Sequence, residues 1–363
     1  MDSNKTIKNY FNMGLDYSEI LEFLHKNDEL GASSCRYLGD IDPHNYRCHK
    51  DAVKLKKIPL ACTALVFDGI TCNDEFVIYP SYDKTDIDLI KQLVEFSPNV
   101  YLFYGHDHLQ SWFEAVDPRK TVVEAQKVKE FVAEYPVAGL ILKGINPDYH
   151  VPNDFYVKLK AYVETMKIEI PNLKIGLYLE ALSMMFFSKD PKSPDWFDFT
   201  VLNKVMDNYI IGFDRFNECT FYLLNGGVVP LNSTDPSINT LTKFKAAFDG
   251  SSIARDKVYF EFSINPSVIK KFEKYFIPCE VSYNEYCENH GVYKDRMCVD
   301  NQDTFFEKGK FTKENSKGFI AKFIDLVDRD LKCECNDKYI TFTMLLNGYN
   351  NLEKLTCAKL SGI

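Results

Sequence analysis

Long apolar runs are absent from this 363-residue chain. The mostly apolar stretch from Ala61 to Phe67 has the length of one β-strand, whereas a bilayer-spanning helix needs about 20 apolar residues, so no membrane span is expected. Basic residues are fewer than acidic ones: the chain has 43 lysines and arginines and 52 aspartates and glutamates, which gives a formal net charge of -9. Since nucleic-acid affinity comes from clustered lysine and arginine, no nucleic-acid partner is expected for the bulk of the chain.

An apolar leader is also missing, because the segment Met1–Gly14 is polar and contains lysine. Cysteine, in contrast, is abundant: there are eleven, and six of them lie between Cys279 and Cys357. The spacing Cys333-Glu-Cys335 lacks the two to four intervening residues typical of zinc-binding pairs, so disulfides are favoured, with at least one cysteine left over. Disulfides indicate an oxidising compartment, whereas the polar N-terminus gives no sign of a secretory signal, so the location stays open at this point.

From Pro59 onward, short β-rich runs alternate with segments of helical periodicity, which is typical of parallel βα units in an α/β fold. Hydrophobic residues make up 45% of the chain, enough for one barrel-sized core. The predicted strands are Ser33–Tyr37, Ala61–Phe67, Val100–Tyr104, Ala138–Leu142, Lys174–Leu179, Tyr209–Phe213, Lys257–Ser263 and Tyr339–Leu346. The predicted helices are Asp86–Phe96, Lys120–Glu134, Asp154–Ile168, Phe199–Asn208, Ser237–Phe248 and Ser316–Leu331.

Two regions fall outside this alternation. Residues 1–31 are predicted as a short helical extension, because Asp16 and Glu19 form a capping-box pattern before an apolar run. This extension resembles the opening of transposase-derived helix-turn-helix segments, but it lacks a basic recognition helix, so an accessory helix is favoured over DNA binding. Residues 32–363 would form the main domain, with a cysteine-rich insertion at about 266–314.

Three segments near the first predicted strands are distinctive: Cys35-Arg-Tyr-Leu, the stretch from Ile58 to Phe67, and Gly105 after the third strand. They resemble glycoside hydrolase family 18, the chitinase family, because the first two are similar to the first two strands of animal members and Gly105 remains from the family's Ser-x-Gly-Gly motif. The resemblance implies a (β/α)₈ TIM barrel with a reduced insertion between strands 7 and 8. It also implies a disulfide between Cys35 and Cys62.

The fourth predicted strand aligns with the segment that holds the catalytic motif in family enzymes. Family enzymes have Phe-Asp-Gly-Leu-Asp-Leu-Asp-Trp-Glu-Tyr-Pro, and this chain has Val-Ala-Gly-Leu-Ile-Leu-Lys-Gly-Ile-Asn-Pro in its place. The four acidic positions become Ala138, Ile141, Lys143 and Ile145. In the family reaction the glutamate protonates the glycosidic oxygen and an aspartate orients the substrate's N-acetyl group, a substrate-assisted exception to the two-carboxylate scheme. The resemblance therefore implies a protein with no catalytic residues at this motif.

Later segments resemble the remaining barrel strands. Ile211-Gly-Phe-Asp214 is similar to the family's Met-Thr-Tyr-Asp, and Phe342–Asn347 parallels the final strand, which implies that Met344 replaces the tryptophan below the -1 sugar. Val281-Ser-Tyr-Asn-Glu-Tyr-Cys287 is close to Leu-Ser-Tyr-x-Glu-Ile-Cys, and the same parallel implies a Cys287–Cys357 disulfide. The candidate ligand-binding residues are Tyr104, Trp112, Phe213, Asp214 and Met344.

These observations predict a non-catalytic, secreted chitinase-like protein without a cofactor. One hypothesis is a lectin or signalling protein for chitin or other glycans that contain N-acetylglucosamine. The alternative is a protein-interaction scaffold without sugar binding. Tryptophan is scarce, because only Trp112 and Trp196 occur beside 22 tyrosines and 28 phenylalanines, and packing is favoured over sugar stacking for both.

Two further hypotheses remain open. A hydrolase with a relocated site would use the acidic residues Asp107, Asp148, Glu180 or Asp214 at strand ends, although such rim residues are usually solvated. His106 and His108 bracket Asp107 and have the chemistry of metal ligands, but no further partners are evident in the sequence. A surface cluster is favoured for these residues, and no metal is predicted.

Overall fold

A computed structural model describes residues 30–39, 53–81, 86–106, 108–145, 152, 154–187, 197–276 and 280–360. Several predictions fall outside these ranges. They concern nearly all of the N-terminal extension, together with Asp107, Asp148 and Trp196.

The main sheet is a closed barrel of eight parallel strands. Its strands in chain order are β1 (Ser33–Tyr37), β2 (Leu65–Cys72), β4 (Val100–His106), β5 (Gly139–Leu142), β6 (Lys174–Glu180), β7 (Asn208–Gly212), β8 (Val258–Ser263) and β11 (Gly318–Lys322). β1 pairs in parallel with both β2 and β11, which closes the barrel. The predicted (β/α)₈ TIM barrel is therefore confirmed.

Three short strands lie outside the barrel. β3 (Ile78–Pro80) pairs antiparallel with β2, and β9 (Ser267–Val268) pairs antiparallel with β10 (Met297–Cys298). The helices are α1 (Asp86–Phe96), α2 (Leu109–Ala115), α3 (Pro118–Glu134), α4 (Phe155–Glu169), α5 (Ala181–Phe187), α6 (Phe199–Leu202), α7 (Leu241–Asp249), α8 (Tyr283–Glu288), α9 (His290–Tyr293), α10 (Gln302–Asn315) and α11 (Ile340–Asn350). In these described ranges, every helix is too short or too polar to span a lipid bilayer.

The alternation of side chains along the strands builds two apolar layers. Ile141 on β5 is buried in the small cluster inside the barrel, with Phe103 of β4. Leu140 and Leu142 face the opposite way and join the large cluster between the barrel and its helices. A residue's parity along its strand therefore decides whether it can reach the barrel axis.

The end of the chain differs from the prediction. The segment predicted as the helix Ser316–Leu331 contains β11, and the predicted strand Tyr339–Leu346 lies in helix α11. Isoleucine, threonine and phenylalanine in α11 favour strands in isolation. However, Ile340, Met344 and Gly348 recur at helical spacing and are buried, so packing overrides propensity.

Four disulfides join described cysteines: Cys35–Cys62, Cys219–Cys298, Cys287–Cys333 and Cys335–Cys357. The first is the bond that the resemblance implies. The implied Cys287–Cys357 bond is wrong, because the segment after β11 brings Cys333 to Cys287 and leaves Cys357 to Cys335.

Residues 266–314, predicted as an insertion, include the β9–β10 pair and helices α8 and α9. They also include α10, which leads into β11 and packs against α11. The last part of this stretch therefore belongs to the regular βα pattern.

Candidate functional site

The carboxyl ends of the barrel strands carry a charged network on the barrel axis. Arg36 of β1 donates from Nη1 to Glu261 Oε1 of β8 at 2.8 Å and from Nη2 to the carboxylate of Asp68 of β2. The guanidinium group also lies over the Phe103 ring, 4.5 Å from its centroid. Arg36 and Glu261 are buried, so this network fills the top of the barrel.

The two carboxyl groups on Arg36 differ in acidity. Burial would raise the pKa of Asp68, but the cations of Arg36, Lys143 and Lys322 lower it below its ordinary value. Burial raises the pKa of Glu261, and Arg36 offsets only part of that rise. The network therefore combines an ionised carboxylate with a more weakly acidic one.

Lys143 follows β5, and its side chain extends toward the same network. Its Nζ atom lies 3.4 Å from the Asp68 carbonyl oxygen and 3.5 Å from Ser81 Oγ. Burial lowers the pKa of Lys143, while Asp68 counteracts that shift. An ammonium group thus lies beside the barrel axis, at the third of the four positions that were compared with the acidic residues of the family motif.

The other three motif positions are apolar in their surroundings as well as in identity. Ala138 is partly buried against the interior cluster, and Ile141 belongs to that cluster with no exposed surface. Ile145 is only 1% exposed and packs in the layer between barrel and helices. Gly144 has a φ of +78°, a conformation that breaks the strand alternation before Ile145. No acidic side chain occupies any of these four positions.

A cleft opens beside this network, above β7 and β8. Asp214 forms an ion pair with Lys322, and the buried Lys308 donates to Asp300 Oδ1 at 2.6 Å. These four residues line a cavity of about 140 Å³. A second cavity of about 620 Å³ shares Arg215 and several other lining residues with it. The cleft is lined mainly by charged and polar groups.

A separate groove of about 670 Å³ lies elsewhere, along the outside of helix α11. Its walls come from residues 56–61 before β2 and from α11 with the segments that flank it, not from the carboxyl ends of the barrel strands. The chemistry of a TIM barrel takes place at those carboxyl ends, so the cleft beside Asp214 is the better candidate.

Two of the predicted ligand-binding aromatics are packing residues. Trp112 on α2 has no exposed surface, and its Nε1 donates to the Lys143 carbonyl oxygen at 2.9 Å. Tyr104 faces the helices, where its hydroxyl donates to Glu124 of α3. Burial raises the pKa of the Tyr104 phenol well above its ordinary value, so the hydroxyl stays protonated. Neither ring offers a face to a sugar.

Phe213 and Met344 are also unavailable as open platforms. Phe213 lines the small cavity but is 3% exposed, stacked on Phe262. Met344 lies on α11 with no exposed surface, and its sulfur accepts a hydrogen bond from Leu355 N. The predicted position of Met344 at the barrel mouth is wrong, because β11 ends at Lys322 and Phe323 follows it into the cavity lining.

The remaining candidates do not converge. Glu180 is exposed at the end of β6 and accepts from Ser183 Oγ. His108 is exposed before α2, whereas the His106 side chain is buried and its Nε2 lies 3.1 Å from Glu124 Oε1. The two histidine side chains therefore lie in different environments, one buried and one exposed. Asp107, which separates them, lies outside the described residues.

Sequence reasoning missed the central network. Asp68 and Glu261 each interrupt a mostly apolar strand, Lys322 ends one, and Arg36 is the only charged residue of β1. A buried charge in such a strand needs a partner of opposite sign, and this requirement could have revealed them.

Solved structures with the same architecture come from chitinases and a related protein. Catalytic domain 2 of the Group II chitinase of Ostrinia furnacalis superposes with a TM-score of 0.66 at 13% identity, covering 92% of this chain and all of that one. The Group IV chitinase of the same insect, bound to allosamidin, gives 0.65 at 15% identity, covering 88% and 99%. The chain shares the fold of chitinases.

Human YKL-39, described as a pseudo-chitinase with retained chitooligosaccharide binding properties, matches with a TM-score of 0.63 at 12% identity. That match covers 88% of this chain and 99% of the human one. No protein-family model matches the sequence, and no curated protein sequence matches it.

Proposed function

We propose that this chain is a non-catalytic chitinase-like protein. The proposal rests on Ile145. By the sequence comparison it takes the position of the family's proton donor, and in the structure it is 1% exposed and packs in an apolar layer. A hydrocarbon side chain cannot protonate a glycosidic oxygen.

The charges around the barrel axis also oppose the reaction. Glycoside cleavage develops positive charge at the sugar ring. In this chain Lys143 stands at a motif position where family enzymes have aspartate, and Arg36 lies in the same network. Cations at this place destabilise a developing cation instead of stabilising it.

A turnover assay with a fluorogenic chitobioside tests the proposal. We expect no release of the fluorophore above a heat-denatured sample, with the Group IV chitinase of Ostrinia furnacalis as the positive control. Turnover that disappears in a folded Asp214→Asn variant would overturn the proposal, because the activity would then belong to this chain and not to a contaminant.

For the ligand, we propose a chitooligosaccharide in the cleft beside Asp214. Support comes from YKL-39, which is a pseudo-chitinase with retained chitooligosaccharide binding properties. The cleft of this chain offers Arg215 and Glu280 as polar partners and the partly exposed rings of Phe276 and Phe323 as apolar contacts.

The second candidate is a protein-interaction scaffold. It is favoured by the burial of Trp112 and by the location of Met344 outside the barrel mouth, which leave neither residue available to stack on a pyranose. Enzyme folds often host unrelated functions when their catalytic groups are gone.

Calorimetric titration with chitohexaose separates the two candidates. Glycan binding predicts saturable heat that is weakened in Arg215→Ala, an exposed cleft residue, and unchanged in Lys245→Ala, a partly exposed residue of α7 that does not line the cleft. The absence of heat at millimolar ligand would reject the glycan proposal and favour the scaffold. Four disulfides support an extracellular setting for either function.

A further inference from the structure

A thiol, an imidazole and a carboxylate meet between the barrel and helix α3, away from the cleft. Cys72, His106 and Glu124 each offer one ligand atom, and these atoms all lie within 4.8 Å of one another. Cys72 and Glu124 have no exposed surface, and the His106 side chain is 3% exposed. The three residues are called the Cys-His-Glu cluster below.

The fold brings these residues together from three elements. A bulge between Phe67 and Ile70 shifts the alternation of β2, so that Cys72 faces the helices instead of the barrel axis. Cys72 is the register partner of His106, the last residue of β4. Glu124 approaches from the first half of α3.

The hydrogen bonds of Glu124 are divided unevenly between its two oxygens. Oε1 accepts from the hydroxyls of Tyr104 and Tyr162, the latter at 2.6 Å, and lies 3.1 Å from His106 Nε2. Oε2 is buried and has no hydrogen-bond partner among the described residues. A buried carboxylate oxygen without a partner is unfavourable, and a bound cation would compensate it.

We propose that the Cys-His-Glu cluster binds one divalent transition-metal ion, with zinc as the best match. Zinc takes thiolate, imidazole and carboxylate ligands in tetrahedral sites, and a water molecule or a neighbouring phenol would complete the four. The two tyrosines occupy Oε1, which leaves Oε2 as the carboxylate oxygen that is available to an ion. On binding, the Cys72 thiol releases its proton to solvent as the sulfur–metal bond forms.

The burial of the cluster indicates a structural role. The same three residue types occur in nucleophilic triads, but a substrate cannot reach a thiol without exposed surface. A metal at this place would tie β2, β4 and α3 together on the outer side of the barrel. The expected consequence is greater thermal stability of the metal-bound protein.

The test is titration of the metal-free full-length chain with Zn²⁺ in competition with a chromophoric chelator. We expect one ion per chain. Cys72→Ser and Glu124→Gln should each weaken binding by about 100-fold or more, because each removes a direct ligand. His108→Ala is the matched control, since His108 is exposed and outside the cluster, and its affinity should equal that of the wild type.

Cobalt gives an independent readout. Co²⁺ bound to the wild type should show the thiolate-to-metal charge-transfer absorption, and Cys72→Ser should lose it. Glu124→Gln keeps Oε1 as an acceptor for both tyrosines, so a folded variant is available even if the serine variant is unstable. No Zn²⁺ binding by the folded wild type, or equal binding by wild type and Glu124→Gln, would overturn the proposal.

Discussion

Asp328 is fully buried in the folded protein, and its carboxyl group has no contact with solvent. Its backbone lies just after the 3₁₀ turn Ile324–Leu326, and its Oδ1 accepts from Thr341 N at the start of α11. Its Oδ2 has no hydrogen-bond partner in the part of the chain that the structure describes. Burial, with a smaller contribution from Asp337, raises the pKa of Asp328 to about 7.

The raised pKa predicts a loss of stability with rising pH. Between about pH 4 and pH 7 the folded state holds a proton that the unfolded state has released, so the free energy of unfolding falls across that window, by at most about 4 kcal/mol. Above pH 7 this contribution stays constant. Urea unfolding at pH 5 and pH 8 should show the decrease in the wild type and a smaller one in Asp328→Asn. Equal decreases in both proteins would contradict the assignment.

The frame of the motif allowed a prediction for single residues. Gly139, Leu140, Leu142 and Pro147 are the basis for the prediction that Lys143 and Ile145 lie at the family's catalytic positions, and both residues follow β5 in the structure. The charged network could not be predicted in the same way. Arg36 and Glu261 are 225 residues apart in the chain, and only closure of the barrel brings them together.

At the scale of elements, helices α10 and α11 cross with their backbones in contact. A Cβ atom added at Gly309 would lie 2.1 Å from the Leu345 carbonyl oxygen, and one added at Gly348 would lie 2.0 Å from the Phe306 carbonyl oxygen. The two glycines thus face each other's helix. Because these are backbone atoms, a side chain there can be accommodated only if the helices separate.

We therefore expect Gly309→Ala to lower the free energy of unfolding by about 1 to 3 kcal/mol, the usual cost of overpacking. Gly291 in α9 is the control, since no heavy atom lies within 4 Å of its added Cβ. Gly291→Ala should be neutral or stabilising by up to about 1 kcal/mol, because alanine favours helices. Denaturant unfolding under non-reducing conditions measures both, and equal effects would refute the contact argument.

This helix pair also explains where element prediction failed. The strand β11 has only five residues, and the sequence pattern assigned it to a helix. The residues of α11 include strand-favouring types, and their helical state depends on α10, which the sequence analysis assigned to an insertion. The long helices α1 and α3 were predictable because their periodicity is strong enough without such partners.

On the scale of the whole molecule, two disulfides cross-link segments in the last quarter of the chain. Cys287–Cys333 links α8 to the segment after β11, and Cys335–Cys357 links that segment to the residues after α11. The two bonds close loops with sequence separations of 46 and 22 residues. They restrict the unfolded chain around the region that carries α11.

Replacing Cys335 and Cys357 together by serine should lower the free energy of unfolding by about 2 to 4 kcal/mol. Thermal unfolding of the double variant beside the wild type measures the loss. Mass spectrometry supplies the control: reduction of the four disulfides between described cysteines should add two hydrogens for each bond. A wild-type mass that does not change on reduction would contradict the prediction.

The network of Arg36, Asp68 and Glu261 has a consequence for attempts to introduce hydrolysis. A glutamate introduced at position 145 would enter an apolar layer, and an aspartate introduced at position 143 would still lie near the cation of Arg36. Neither substitution alone places a proton donor beside an open sugar site. In the proposed non-catalytic protein, we therefore expect single substitutions at positions 143 and 145 to leave the chain without hydrolytic activity.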